Sequence, residues 1–116
     1  LRSALAKDDA NQAFTKTGRP GLFTLPGVLA TISSSDHTNI PRRGRYLLKQ
    51  ALCDVVPPPP ATLDTTLPPL PGKPSWRQKF ERVEMEPTCS GCHVRVNHLA
   101  FALESFDELG RARVQD

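Results

Sequence analysis

The chain has 116 residues, 38% hydrophobic and 6% aromatic, with 12 prolines and a formal net charge of +3. That length suits one domain but buries little core by itself, and the proline content favours short helices and loops over a β-rich fold. No apolar run approaches the roughly 18 residues a membrane-spanning helix needs, and the basic residues lack the aromatic interleaving of a nucleic-acid surface, so neither role is expected.

In chain order, Leu1, Ala4, Leu5 and Ala10 predict a helix over residues 1–15, closed by the turn sequence Thr17-Gly18-Arg19-Pro20-Gly21. A short helix then starts at Pro26, where a missing N–H costs nothing, runs through Val28, Leu29 and Ala30, and breaks at Ser33-Ser34-Ser35-Asp36. His37 falls in that loop. From about Pro41 to Cys53 the pattern predicts a helix with Leu47, Leu48, Ala51 and Leu52 on one stripe and Arg42, Arg43, Arg45 and Lys49 as a basic cluster on the other. The cluster reads as a solvated helix face rather than a docking face for an acidic partner.

Residues 55–74 carry eight prolines, Pro57 to Pro60 in succession, and predict an extended segment laid across the surface. Ser75 is placed to cap a helix carrying Trp76, Phe80 and Val83 at i, i+4 and i+7. Pro87 and Thr88 open a short helix, and a last helix is expected over Leu99, Ala102, Leu103, Phe106 and Leu109, with Glu104 and Glu108 on its opposite face and Gly110 at its end.

One segment specifies chemistry. Cys89-Ser90-Gly91-Cys92-His93 is CxxCH, the attachment pattern for c-type haem, in which two thiols bond the macrocycle and the histidine takes the iron from one face. A redox dithiol is the first alternative, but its CxxC normally follows a strand, and no strand pattern precedes Cys89. A structural zinc site is the second, and only Cys53, His37 and His98 remain to complete its four ligands. With His93 as proximal ligand, Met85 or His37 is the candidate for the sixth position, Met85 ahead; His98 lies too close to His93 on one helical segment to reach the opposite face. Cys53, left without a partner in this chain, is either buried and reduced or disulfide-bonded to a polypeptide not in this chain.

Several separate stretches together resemble the C-terminal region of the planctomycete-type cytochrome c proteins, large exported multi-domain haem proteins. They are Arg19 to Phe23 with Pro26 and Val28 to Ala30, Thr38 with Arg43-Gly44, Leu52-Cys53, the CSGCH motif, Phe101 to Asp107, and Gly110-Arg111. The resemblance spans about Arg19 to Arg113 and implies that Cys89, Cys92 and His93 attach haem and that the chain is a piece of a longer protein. Two departures touch the haem surroundings. Val96, Asn97, His98, Leu99 and Ala100 stand where that family tends to carry methionine, aspartate, proline, a large apolar residue and glycine, and Val83 stands near a position that it gives to histidine.

The expectation is a mainly α, small c-type cytochrome-like domain with short helices around one covalent haem c. Residues 1–54 form its N-terminal helical part, 55–74 the proline-rich segment, and 75–116 the haem-attachment helices. Electron transfer within a larger extracytoplasmic assembly is the expected role, with redox proteins or other subunits as partners. A peroxidase-type enzyme with an open sixth position and a structural haem subunit are the competing classes. Because covalent haem is attached outside the cytoplasm, the expected location is periplasmic or otherwise extracytoplasmic.

Overall fold

A computed structural model describes Arg19 and residues 21–114; the helix expected over residues 1–15 lies outside these. After a single 3-10 turn at Leu22–Thr24, four α-helices follow: α1 (Pro26–Thr31), α2 (Ile40–Leu52), α3 (Trp76–Glu84) and α4 (Pro87–Phe101). Among the described residues there is no strand, only an isolated bridge between Phe106 and Ala112. The fold is mainly helical, as the periodicities predict.

Local chemistry sets most of the helix ends. The Asn39 side chain accepts from the Arg42 N–H at 3.0 Å and Pro41 sits in the first turn of α2. Ser75 and Gln78 form a reciprocal capping box on α3, Ser75 Oγ accepting from the Gln78 N–H and the Gln78 side chain from the Ser75 N–H. Pro87 occupies the first turn of α4.

The helix α4 packs along both α2 and α3 and is the centre of the fold. At its crossing with α2 the backbones meet directly, because a Cβ on Gly44 would lie 1.9 Å from the Val96 carbonyl oxygen. Around that crossing, Ile40, Phe80, Val83 and Ala100 form one buried cluster, Leu48, Val56 and Val96 a second, and Leu29, Ile32, Leu47, Leu103 and Phe106 a third. The proline-rich segment contributes to two of them. It has neither helix nor strand, and Pro57 to Pro60 are exposed, but Val56 is buried and Leu67 packs on the Ile40 and Phe80 cluster. The segment therefore wraps the helices.

Three expectations are corrected. The motif helix and the last helix are one: α4 runs unbroken from Pro87 to Phe101 and ends there, so residues 102–109 form turns in place of the helix expected over Leu99 to Leu109. Arg43 is not part of a solvated basic face, and Glu104 is not on an outward one; both are buried. One arrangement explains all three. The Arg43 Nη1 donates to the carbonyls of Leu103 and Phe106 at 3.0 and 2.9 Å and to Glu104 Oε1 at 3.2 Å, while Nη2 donates to the Asp107 carbonyl at 2.6 Å and to Ser33 Oγ at 2.9 Å. Those carbonyls would otherwise accept intrahelical bonds, so the guanidinium replaces a helix continuation. Thr38 at 3.0 Å and Arg113 at 2.7 Å complete the bonding of Glu104. Burial lowers the Arg43 pKa from its ordinary value and the Glu104 charge opposes that, leaving a paired cation in the interior. The turns also leave Leu109 exposed, outside the stripe expected for it.

Candidate haem-attachment site

The CxxCH motif lies in the first two turns of α4. Cys89 is half-buried and packs on the Ile40, Phe80, Val83 and Ala100 cluster, Cys92 is exposed, and His93 is half-buried. None of the three cysteines is in a disulfide, and the CxxC is helical with no strand before it. Helical spacing sets Asn97 one turn beyond His93, on the same face. The Asn97 side chain is fully buried, with Oδ1 3.2 Å from His93 Nδ1 and Nδ2 donating to the Phe80 carbonyl at 3.3 Å.

These two bonds decide the histidine's tautomer. Only the NH2 of an amide can donate to the Phe80 carbonyl, so Oδ1 is the atom facing the ring and must accept. Nδ1 is therefore the donor in this bond, and Nε2, which has no hydrogen-bond partner among the described residues, is the nitrogen open to a metal. The Phe80 ring stacks on the imidazole at 5.9 Å between centroids and 23° between planes, holding its orientation from the other side. Two accessible thiols and a histidine with Nε2 available are the donor set that covalent haem requires, and the residues fit it.

Two apolar side chains near the motif are exposed. Met85, the C-cap of α3, is 72% exposed and Val94 is 42% exposed. His37 stacks on Trp76 at 4.0 Å and 14°, and its Nδ1 is 2.7 Å from Asp36 Oδ1. Trp76 stacks in turn on Phe80, so two aromatic rings separate His37 from His93. His98 faces outward, 3.3 Å from Glu84. Among the described residues no three His, Cys, Asp or Glu side chains come together as a metal-binding group, so Cys53, His37 and His98 do not gather around Cys89 and Cys92. Cys53 is exposed and takes the left-handed conformation, φ 53°, at the end of α2.

Motif reading alone missed Phe80 and Asn97. The i, i+4 spacing of His93 and Asn97 was a usable signal, because an asparagine inside a helix is disfavoured unless its amide has a specific partner. Nothing in the local sequence points to Phe80.

A family model matches residues 19–116, that of PSCyt3, described as a protein of unknown function (DUF1588) and named as a planctomycete cytochrome-type domain. The chain belongs to this family. No curated protein and no solved structure matches it. Within the matched range, Arg43 and Glu104 form the buried ionic centre, and Gly44 is the α2–α4 crossing. Among the described residues no helix is long and apolar enough to cross a membrane.

Proposed function

We propose that this PSCyt3 chain is a monohaem c-type cytochrome domain that transfers electrons within a larger extracytoplasmic assembly. The observation that carries the reading is the His93–Asn97–Phe80 chain of hydrogen bonds, which commits Nδ1 to the protein interior and leaves Nε2 available next to the two thiols. Cys89 and Cys92 would hold the haem through thioethers, and His93 would be its proximal ligand. Haem, when bound, supplies a one-electron iron couple.

The protein's own part is to fix and tune the ligand. Asn97 accepts a hydrogen bond from Nδ1–H and so orients the imidazole, and Phe80 covers one face of the ring. For the sixth position Met85 is favoured over His37. Its thioether is exposed at the junction of α3 and α4, whereas His37 is engaged with both Trp76 and Asp36.

The test is export of the chain with a cytochrome c maturation system, followed by intact mass and optical spectra. One covalent haem, lost in Cys89→Ala and Cys92→Ala, and a low-spin spectrum unchanged by cyanide, azide or peroxide are expected. A protein without covalent haem refutes the reading, and a high-spin ligand-binding spectrum refutes the electron-transfer role.

A further inference from the structure

Burial of Arg43 divides the basic cluster of α2. Arg42, Arg45 and Lys49 remain on the outer face, opposite Gly44, Leu47 and Leu48, and all three line one open cavity of about 500 Å³ with Tyr46, Val55 and Val56. That volume is in the range of ligand sites, roughly 300–1,000 Å³. Arg43, Arg77, Arg82, Arg95, Arg111 and Arg113 each meet a carboxylate and Arg19 donates to the Thr24 and Gly110 carbonyls, whereas Arg42, Arg45 and Lys49 form no ion pair among the described residues. The Arg42 guanidinium reaches only the Ser33 carbonyl, at 3.4 Å. No acidic side chain is among the residues lining this cavity. The result is a concave surface of uncompensated positive charge with an apolar component, in which Val55 is 71% exposed.

We propose that this cavity is a docking site for an acidic peptide segment of a partner protein. Arg42 and Lys49 are seven residues apart, about 10 Å along the helix axis, which matches roughly three residues of extended chain. Two guanidiniums can pair bidentately with the carboxylates of such a segment. Tyr46 and Val55 offer apolar surface to a side chain between the acids, a feature with no use in binding a hydrated polyphosphate. Three cations are also too few for a duplex nucleic acid, where six to ten phosphate contacts are usual. No residue of the CxxCH motif lines the cavity, and the site is independent of whether haem is attached.

The test uses the full chain and a fluorescein-labelled hexapeptide, Glu-Glu-Val-Glu-Glu-Val, followed by fluorescence polarisation at low ionic strength. Binding is expected, with no binding of the Gln-Gln-Val-Gln-Gln-Val counterpart and a weakening of about 10-fold or more in the triple variant Arg42→Gln, Arg45→Gln, Lys49→Gln. Arg77→Gln, a surface arginine paired with Glu81, leaves the affinity unchanged. Amide shifts in the wild-type chain, confined to α2 and residues 54–57, are expected on titration and keep the test decisive if the triple variant does not fold. Equal binding by the triple variant, no binding by the wild type, or shifts elsewhere would overturn the proposal. Competition by citrate, a heparin tetrasaccharide or duplex DNA at matched charge, as effective as the peptide, would overturn it in favour of a general polyanion surface.

Discussion

Substitution of Gly44 by alanine tests the α2–α4 crossing on which the position of the motif depends. The new Cβ would stand 1.9 Å from the Val96 carbonyl oxygen, 2.7 Å from its carbon and 2.8 Å from Cγ1. Ordinary carbon–oxygen contact begins near 3.3 Å, so the helices must separate by about 1.4 Å at their closest point. Overpacking of a well-filled core costs about 1–3 kcal/mol, and this contact, being with backbone on both sides, falls at the upper end. Against that, alanine in a helix interior gains about 1 kcal/mol over glycine. The net expectation is a loss of about 2 kcal/mol, or roughly 10 °C in Tm for a domain of this size, read by circular dichroism melting and urea titration. Gly91→Ala is the matched control in α4: its Cβ meets nothing within 4 Å, so the same propensity gain appears uncompensated, and stability rises by about 0.5–1 kcal/mol. Adding Val96→Ala to Gly44→Ala removes the Cγ1 contact but not the carbonyl, so it does not rescue. A Gly44→Ala protein that melts at or above the wild-type temperature, or one that Val96→Ala restores, refutes the argument.

Arg43→Met removes the buried counter-charge of Glu104 and a donor to three backbone carbonyls, of which that of Phe106 keeps none, and a loss of about 3–5 kcal/mol in urea denaturation is expected. In the haem-loaded protein, Asn97→Asp replaces a neutral acceptor on His93 Nδ1 with a charged one and is expected to lower the reduction potential in a potentiometric titration; Asn97→Leu removes the acceptor and is expected to broaden the haem spectrum through loss of a single ring orientation. For Asp107, burial pushes the carboxyl pKa up. The hydrogen bonds from the Arg111 backbone and guanidinium, then the Leu109 N–H and the Arg111 charge, outweigh that and hold it below the usual aspartate value. A depressed carboxylate contributes its stability above the unfolded-state pKa of about 3.9 and loses it as pH falls through the folded one. Stability is therefore expected to decline below about pH 4, and Asp107→Asn to show a shallower decline in acid melts.

The helices were legible where their information is local. Pro41, Ser75 and Pro87 mark three starts, and the spacing of Trp76, Phe80 and Val83 marks the inner face of α3. The end of α4 was not legible, because the apolar stripe from Leu99 to Leu109 continues the helical period past the point where the helix stops. What stops it is Arg43, some sixty residues earlier in the chain, and no local pattern carries a partner at that distance. Periodicity likewise assigns every charged residue to the outside, so the burial of Arg43 and Glu104, possible only because each supplies the other's counter-charge, had to be read from three-dimensional packing. The candidate attachment motif stood in five consecutive letters. Its supporting residues did not: Asn97 lay one helical turn away, but Phe80 reaches His93 from another helix.

Sequence by itself determined the helical class, the extended proline segment and the thiol–thiol–imidazole donor set, because residue type, φ restriction and one-turn spacing act over a few residues. Tertiary structure alone decided which arginine is interior, which face of α2 forms a cationic cavity and which nitrogen of His93 is free. Each of those depends on a contact between segments distant in the chain, where the cost of burying a charge or an amide is met only by a partner that folding brings into place.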